Sequence, residues 1–505
     1  MPEIGRGKEL RAAGSLANLN LHMSLERKRC TEYIRKISGS FIFWIIVYFL
    51  IRLVGITNPP LESLHNWRQA FTCMIARNFL EMNPNILYPQ IDTSGNMPGY
   101  VGSEFPVFNY IIFIVARLFG YQHWYGRLIN LLVSSIGIYF FYCLTEKYMG
   151  KKVAFASGII LLSSIWFSFS RKIMPDTFSV SLMFVGLYFC YHFINKGSRI
   201  HLYLFILFAS LGSLAKLPTI SFLSLIIIPL FRKEQSVHIK EGLILGVFLI
   251  SLVTSAWYLY WIPKLVETYN NQLFYPKSVT VGLMELIRQW PHTLEKFYFS
   301  SFHSFIAFAC FLAGIYFMIR DKNKLPAFAF LLFFLVFSIF ILKFGDFFSS
   351  HSYYIIPFTP MMAIMAGYAV SRIPSRFYFI LLFFIAIEGI LNQQHDFFIR
   401  ESQAYKLNLE QIADSVSNRS DLIMINDNGS PQMLYFTHRK GWSVHDEILT
   451  DDKKILSFIE KGARYLIIDK KEAGITLTYP LVYEDVNFAV YKLRIPIFIG
   501  AGREP

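Results

Sequence analysis

The feature that most constrains this chain is a series of apolar runs, each close to the length needed to cross a bilayer. About eleven such runs are present, judged against the ~20 residues that a membrane-spanning helix needs. A chain of 505 residues that is 54% hydrophobic and only 16% charged is too apolar for a soluble protein. The sequence therefore predicts a polytopic α-helical membrane protein. The runs cover residues 40–54, 124–144, 153–169, 178–194, 200–214, 220–231, 242–261, 302–319, 327–342, 353–370 and 377–391.

The net charge of +14 is explained by membrane orientation and does not indicate nucleic-acid binding. Basic residues are concentrated in short loops between the apolar runs, and this pattern marks the cytoplasmic side of a membrane protein. If the short apolar segment 105–119 does not span, most loop lysines and arginines fall on the same side as the N-terminus. We therefore interpret 105–119 as an interfacial or re-entrant helix and expect a cytoplasmic N-terminus.

This orientation predicts three regions. Residues 1–39 form a cytoplasmic N-terminal tail, and residues 40–391 form the transmembrane domain, with extracytoplasmic loops at 55–123 and 262–301. Residues 392–505 are less apolar and are predicted to form a small extracytoplasmic α/β domain, because about 90 residues suffice for such a core.

Within the C-terminal region, hydrophobic periodicity places the individual elements. No glycine-rich phosphate loop follows either predicted buried strand, so a nucleotide site is not expected there. The predicted elements are buried strands at 421–426 and 463–469, an amphipathic helix at 451–461, and a closing hairpin formed by 481–483 and 487–493.

Cysteine spacing argues against a zinc site or a disulfide framework. The sequence has no CxxC pair and no other metal-ligand spacing among its cysteines. They are Cys30, Cys73, Cys143, Cys190 and Cys310.

The first polar cluster follows the first apolar run and reads HNWRQAFTCMIARNFL (65–80), then NMPGYVGSEFPVFNY (96–110). Arg68 and Arg77 are suited to grip a phosphate, and Glu104 to act as a base or metal ligand. The plain alternative is that both arginines reach lipid headgroups while Glu104 solvates a loop. The cost of placing ionisable groups next to a membrane favours the functional interpretation.

Two further clusters carry cations in short breaks between apolar runs. In SRKIMPD (170–176), Arg171, Lys172 and Asp176 are candidate site residues, although Asp176 also suits the first turn of a helix that begins at Pro175. In LAKLP (214–218), Lys216 is suited to a lipid-linked phosphate, and a lysine that merely reaches the interface is the alternative.

The fourth cluster is KFGDFFSSHSYYIIPFTP (343–360), where Asp346, His351, Tyr353 and Tyr354 crowd the end of an apolar run. Tyrosines at a membrane interface are ordinary, and a lone histidine is usually structural. Their grouping with Asp346 makes a functional site an equally good interpretation.

Five segments of the chain, taken in order, resemble motifs of the bacterial ArnT/PMT-like glycosyltransferases. They are HNWRQAFTCMIARNFL, SEFPVFNY, RKIMPD, LAKLP and HSYYIIPFTP. These enzymes have the GT-C fold and are similar to protein O-mannosyltransferases and to the aminoarabinose transferase of lipid A. The resemblance covers about residues 41–391. It implies a hexosyl or pentosyl transferase of the plasma (bacterial inner) membrane. Such an enzyme moves a sugar from a polyprenyl-phosphate carrier to an acceptor lipid, glycan or protein of the cell envelope.

The resemblance also assigns roles to single residues. Glu104 and Asp176 match acidic positions of the family's catalytic site, which in some members hold a divalent metal ion. Lys216 matches a lysine near the carrier phosphate, and His351, Tyr353 and Tyr354 match a substrate-binding turn. We expect Arg68, Arg77, Arg171 and Lys172 to contribute to substrate binding as well.

One departure from the family pattern concerns the mechanism. Relatives commonly read WRQAD where this chain reads WRQAF, so Phe71 replaces an aspartate that is the family's expected catalytic base. Either Glu104 or Asp176 takes over as base, or the acceptor is already an anion and needs none, or the protein binds the lipid-linked sugar without turnover. A transporter is the less favoured alternative, because the apolar runs themselves are nearly free of charge.

Overall fold

The structure is a computed structural model that describes residues 39–273 and 276–494. The predicted N-terminal tail, 1–39, lies almost wholly outside the described residues. A first compact unit ends at Ile51, and its described part is almost entirely the apolar helix α1 (Phe41–Arg52). The second unit runs from Arg52 onward, and it is helical up to Leu391 and carries a small sheet after that.

The second unit begins with a long series of helices. Helix α8 (Val237–Ser255) continues through a π-helical segment, Ala256–Trp261, into a further helical stretch, Ile262–Tyr269, so that the whole element runs over Val237–Tyr269. The longer helices are α2 (Asn66–Glu81), α3 (Val107–Phe119), α4 (Tyr125–Met149), α5 (Lys151–Ser163), α6 (Pro175–Lys196), α7 (Arg199–Ala215), α8 (Val237–Ser255), α9 (Val279–Arg288), α10 (Phe305–Arg320), α11 (Lys324–Phe344), α12 (Thr359–Ser371) and α13 (Ser375–Leu391).

Among the described residues, fewer helices than predicted have the length of a full span. Helices α4, α6, α8 with its continuation, and α11 are long and apolar enough to cross a membrane, which makes 4. A fifth is added if Trp290–Ser300 and Phe305–Arg320, which meet at 92°, count as one broken span. Only some of the eleven or so predicted apolar runs therefore correspond to continuous full-length helices.

Two of the predicted runs are interrupted for local reasons. The run 153–169 breaks after α5, where Ser164 is extended and the backbone N–H of Ile165 donates to the carbonyl of Ser301 (3.2 Å). The run 220–231 forms a 3₁₀ helix, Leu217–Ile226, followed by one helical turn, Ile227–Leu230. Apolarity predicts burial in the membrane, but it does not distinguish these tighter or broken conformations from a continuous α-helix.

The start of α6 follows the rule for proline at a helix N-terminus. Pro175 occupies the first turn, and Met174 before it is extended (φ −143°, ψ 144°), as the proline ring requires. Asp176 lies in the first turn, and Gly197 with φ 67° ends the helix. Residues 170–174 are thereby held as a compact break between α5 and α6.

The C-terminal region forms a five-stranded sheet in the order β2-β1-β3-β5-β4. Strand β1 pairs in parallel with β2 and β3, whereas β3 with β5 and β4 with β5 are antiparallel. Both buried strands and the closing hairpin were predicted, and β2 was missed. The elements are α14 (Leu409–Val416), β1 (Leu422–Asn426), the short helix Gln432–Thr437, β2 (Gly441–Val444), α15 (Asp452–Glu460), β3 (Ala463–Asp469), β4 (Leu481–Glu484) and β5 (Phe488–Lys492).

The sheet domain packs directly on α2 and on the loop that follows it. Arg77 donates to Asp92 (2.9 Å) and to the carbonyl of Tyr435 (3.1 Å), and its guanidinium lies 4.5 Å from the centre of the Tyr435 ring. The N–H of Gly95 donates to the carbonyl of Gly441 (2.8 Å). Apolar side chains of α2, α3 and the short helix Gln432–Thr437 share one buried cluster. The C-terminal domain therefore supports the segment that carries the first polar cluster.

Candidate functional site

A cavity of about 510 Å³ brings together the first, third and fourth polar clusters of the sequence. Of the predicted site residues, Arg68, Glu104, Lys216, His351, Tyr353 and Tyr354 line it, although they come from distant parts of the chain. The full lining is His65, Trp67, Arg68, Glu104, Lys216, Leu217, Pro218, Tyr258, Leu273, Phe344, Phe347, His351, Tyr353 and Tyr354.

An ion-pair cluster of two cations and two acids lies at this cavity. One carboxylate oxygen of Glu104 accepts from Arg68 (2.5 Å) and the other from the Lys216 ammonium (2.8 Å). Lys216 also lies 3.4 Å from a carboxylate oxygen of Asp176. The side chains of Arg68, Glu104 and Lys216 are 11%, 18% and 7% exposed, so each charge is largely removed from water but still borders the cavity.

The backbone around the cluster is positioned by α8. The indole N–H of Trp257 donates to the carbonyl of Ser103 (3.0 Å), and the hydroxyl of Tyr258 donates to the carbonyl of Leu214 (2.9 Å). Both donors lie in the π-helical segment of α8, a conformation that is frequent at functional sites. This segment therefore supports the loop before Glu104 and the C-terminal end of α7 before Lys216.

Aromatic rings form the wall next to Lys216. Its ammonium lies 5.2 Å from the ring centre of Tyr353 and 5.4 Å from that of Tyr354, within the range of a cation–π interaction. The rings of Tyr353 and Tyr354 are 4.6 Å apart, and His65 lies 5.1 Å from Tyr353. The predicted turn and the predicted lysine are thus in direct contact.

The electrostatic setting keeps the cluster charged. Burial opposes the ionised form of Glu104, but Arg68 and Lys216 outweigh it and hold the pKa of this carboxyl below its ordinary value. Burial likewise opposes the charge of Lys216, while Asp176 and Glu104 raise the pKa of the ammonium. A carboxylate with a lowered pKa is a weak general base, and the cations remain available for an anion.

The histidines of the cavity are neutral. Burial, reinforced by Lys172, lowers the pKa of His65 to about 3. Burial also lowers the pKa of His351. Neither imidazole therefore adds positive charge to the cavity at neutral pH, which leaves Arg68 and Lys216 as its charged donors among the lining residues described above.

Three predicted substrate-binding residues lie elsewhere, in ion pairs of their own. Arg171 contacts Glu62 (3.1 Å) and lies over the ring of Phe397 (4.2 Å), and Lys172 contacts Asp396 (3.3 Å). Arg77 is the contact to the C-terminal domain described above. Their side chains are 1%, 1% and 4% exposed, so the structure places them in the protein interior and not on the cavity.

Asp176 lies behind the cavity lining. It is 2% exposed, one of its oxygens faces Lys216, and the other has no hydrogen-bond partner among the described residues. From this position Asp176 can act on the site through Lys216. It does not line the cavity, so it would not contact a ligand there directly.

A divalent metal does not fit Glu104 and Asp176 as they stand. A metal of this kind needs several oxygen ligands, and both carboxylates are already turned to Lys216, with Arg68 on Glu104 as well. Among residues 39–273 and 276–494, no group of three or more histidine, cysteine, aspartate or glutamate side chains is arranged to hold a metal ion.

Several lining residues were missed by sequence reasoning. His65 and Trp67 precede Arg68 in the first cluster, and Phe344 and Phe347 lie in the fourth, so their place in the site could have been predicted from the sequence. Tyr258 lies inside an apolar run, where nothing distinguishes it from residues that pack against lipid or helices.

Phe71, the residue that departs from the family pattern, lies just below Trp67 on α2. The two rings are parallel within 2° and their centres are 5.7 Å apart. Phe71 is 3% exposed, and the guanidinium of Arg68 lies 5.5 Å from its ring centre. An aromatic ring therefore lies next to Arg68, at the position where the resemblance predicts a carboxylate.

Comparisons with known proteins agree with this architecture. The model of the family described as dolichyl-phosphate-mannose-protein mannosyltransferase matches residues 103–261, a range that contains Glu104, Asp176 and Lys216. ArnT from Cupriavidus metallidurans bound to undecaprenyl phosphate matches with a TM-score of 0.58 at 14% identity, over 90% of this chain and 97% of that one. The chain therefore has the GT-C membrane fold of ArnT.

Further structures extend the likeness beyond one ArnT state. The apo form of the same ArnT gives a TM-score of 0.59 at 15% identity over 92% of this chain and 98% of that one. The oligosaccharyltransferase AglB from Archaeoglobus fulgidus, in complex with an inhibitory peptide and a dolichol-phosphate, gives 0.53 at 12% identity over 85% and 70%. No curated protein sequence matches this chain significantly. At these identities the structural matches establish the fold.

Proposed function

We propose that this protein is a glycosyltransferase that moves a sugar from a polyprenyl-phosphate carrier to an acceptor lipid, glycan or protein. The observation that carries the proposal is the pair of buried cations, Arg68 and Lys216, that border one cavity of about 510 Å³ beside an aromatic wall. ArnT bound to undecaprenyl phosphate and AglB bound to a dolichol-phosphate supply structural precedents for such a carrier.

In the proposed reaction, Arg68 and Lys216 neutralise the carrier phosphate. An acceptor oxygen attacks the anomeric carbon of the sugar from the side opposite the phosphate. The bond from this carbon to the acceptor oxygen forms while its bond to the phosphate oxygen breaks, with inversion, and the bond's electron pair leaves with the phosphate. Fixed cations aimed at charge that develops on a leaving group are an effective form of catalysis.

Glu104 then acts as the anion that holds the two cations in place. Its lowered pKa makes it a poor proton acceptor, and its two oxygens are already used by Arg68 and Lys216. Asp176 supports Lys216 from behind. We assign positioning roles to both acids, in place of the predicted catalytic base.

The state of these acids also limits which acceptors suit the site. Phe71 stands in place of an aspartate, and Glu104, whose two oxygens are engaged by Arg68 and Lys216, is the acid among the described lining residues. Among these lining residues, no unpaired carboxylate therefore faces the cavity to take a proton. General-base help is worth about 10²–10⁴-fold, so an acceptor oxygen that is already anionic, such as that of a phosphate, suits this site best.

The proposed setting is the plasma (bacterial inner) membrane, crossed many times, with a cytoplasmic N-terminus. The concentration of loop lysines and arginines on the N-terminal side supports this orientation. It places the cavity, the loops 55–123 and 262–301 and the domain 392–505 outside the cytoplasm. Labelling of single cysteines introduced at exposed positions of α15 and of the loop after α10 tests it, because the two sites are expected to react from opposite sides.

The central experiment measures undecaprenyl phosphate binding and sugar transfer by the purified protein. We expect Arg68→Ala and Lys216→Ala to weaken binding of the lipid by about tenfold or more, since hydrogen bonds to charged groups are worth about 1.5–3 kcal/mol. Lys264→Ala, which removes an exposed lysine near the end of the α8 element, is the matched control and is expected to bind as wild type. Equal binding by all four proteins would refute the proposal.

Phe71 favours a second candidate function, a binder of lipid-linked sugar without turnover. The two are separated by transfer assays on Phe71→Asp beside wild type. Transfer by wild type supports the enzyme, whereas transfer that appears only in Phe71→Asp supports a binder that has lost its catalytic base.

A further inference from the structure

We infer that Trp67 is the platform on which the sugar of the lipid-linked donor stacks, and that Phe71 holds this platform in place. The inference rests on the proposed function and specifies how the same cavity distinguishes a loaded carrier from an empty one. It also gives Phe71 a positive role in place of a missing acid.

Trp67 presents apolar surface to a cavity built around charges. The residue as a whole is 37% exposed and lines the cavity, whereas the neighbouring residues Arg68 and Phe71 are 9% and 3% exposed. An exposed tryptophan at the lip of a concave site, with polar groups beside it, is typical of a ligand contact.

The ring of Trp67 is fixed by its neighbour one helical turn away. Residues four apart lie on the same face of a helix, and the parallel stack of Trp67 on Phe71, at 5.7 Å, uses this spacing. Phe71 is in turn flanked by the Arg68 guanidinium at 5.5 Å. The stack therefore has a buried end at Phe71 and a solvent-accessible end at Trp67.

The position of the platform matches the chemistry of the donor. In a sugar phosphate the ring is joined to the phosphate through a single oxygen, so a sugar must lie next to whatever binds the phosphate. Trp67 precedes Arg68 in the chain and shares the cavity with Lys216. One face of a pyranose ring carries mainly C–H groups, and this face packs well on an indole ring.

An aspartate at position 71 could not support the indole ring of Trp67. A carboxylate there would lie close to Arg68, compete with the phosphate for that cation and leave the indole without a stacked partner. With Phe71, Arg68 keeps Glu104 as its partner at 2.5 Å and Trp67 keeps an aromatic support.

The test compares two lipids on each protein: undecaprenyl phosphate, and undecaprenyl phosphate that carries mannose or glucose. We expect wild type to bind at least one loaded lipid more tightly than the bare one. In Trp67→Ala, binding of that loaded lipid is expected to weaken about tenfold, while binding of the bare lipid changes less than about twofold. Trp67→Phe is expected to recover most of the loss.

Phe71→Leu, which keeps an apolar side chain in a buried position, is expected to reduce the preference for the loaded lipid in the same direction but by less. Trp290→Ala removes a tryptophan that is 61% exposed elsewhere on the chain, and serves as the control with unchanged preference. Equal weakening of both lipids by Trp67→Ala, or no preference in wild type, would overturn the inference alone. A wild type that binds neither lipid would overturn the proposed function and the inference with it.

Discussion

Replacing Glu104 with glutamine removes one negative charge from a cluster in which it faces two cations. The side chain keeps its size and one acceptor oxygen, so the change is mainly electrostatic. Arg68 loses its ion-pair partner at 2.5 Å, while Lys216 keeps Asp176 at 3.4 Å. Removal of one partner from a buried pair costs about 3–5 kcal/mol. Because Glu104 is 18% exposed, we expect the lower end, a loss of ~3 kcal/mol in the free energy of unfolding.

The pH dependence provides a sharper form of this prediction. Despite burial, Arg68 and Lys216 lower the pKa of Glu104 in the folded protein. Its stabilising contribution is therefore complete above the carboxyl pKa of the unfolded chain, about 4.3, and is lost as the pH falls from there through the lowered folded pKa. Wild type is expected to lose stability on acidification faster than Glu104→Gln, so that the difference between them shrinks below about pH 4.

The assay is thermal unfolding in detergent at a fixed heating rate, followed by tryptophan fluorescence from pH 7 to pH 3. A fixed rate is needed because unfolding of large membrane proteins is commonly irreversible. Glu241→Gln, at an exposed position near the start of α8, is the matched control and is expected to melt with wild type. A Glu104→Gln protein that melts like wild type at pH 7, or that differs from it by the same amount at every pH, would refute the reasoning.

The remaining predictions concern other parts of the structure. Lys172→Met removes the lysine that contacts Asp396, so it is expected to lower the melting temperature but to keep undecaprenyl phosphate binding. Lys216→Met is expected to lose this binding. A lipid-binding assay in which Lys172→Met loses binding and Lys216→Met keeps it would contradict the site. Gly95→Ala is expected to loosen the C-terminal domain and speed its release in limited proteolysis, because φ is +58° and a Cβ would lie 2.1 Å from an indole ring of that domain. Gly150→Ala also has positive φ (+83°) but meets nothing within 4 Å, so it is the control, and equal proteolysis of the two would argue against the contact. Since the pKa of His65 is lowered to about 3, binding of the sugar-loaded lipid, a phosphodiester that does not titrate between pH 5 and 8, is expected to show no histidine-like step in that range. His65→Gln is expected to leave this profile flat.

Much of the small domain could be predicted because its signals are local. Strand β3 has the predicted bounds, 463–469, and β1 begins one residue later than predicted, since both are short apolar runs between turn residues. Strand β2 was missed because Gly441–Val444 is only four residues long. It directly follows the polar stretch 438–440, which begins with the left-handed residue His438 and resembles a loop.

In the helical part, the sequence predicts where the chain is apolar but not how each run is folded. The segment Leu217–Ile226 becomes a 3₁₀ helix after Pro218, and the helix after residue 301 begins at a bend of 92°. Such breaks are decided by contacts with neighbouring helices, and these contacts leave no periodic signal in a uniformly apolar run.

For the site, the residue types and the segments were predictable, and the pairing was not. Arg68, Glu104 and Lys216 were selected because charge next to a membrane is costly, and the cavity brings them together. Arg171 and Lys172 met the same criterion, but their partners are Glu62 and Asp396. Each of these acids lies far away in the chain and in an ordinary polar segment, so nothing in the sequence marks it as a partner.

The widened turn of α8 has a consequence for how the cavity can deform. Trp257 and Tyr258 are consecutive, and each donates to a backbone carbonyl one or two residues before a member of the Glu104–Lys216 pair. A sliding or rotation of this helix would carry the anion and the lysine together and preserve their separation. Arg68, which belongs to α2, would stay behind. A tilt of α8 would therefore change the distance from Arg68 to Glu104 and Lys216. Distance measurements between spin labels on α2 and α8 can follow this change.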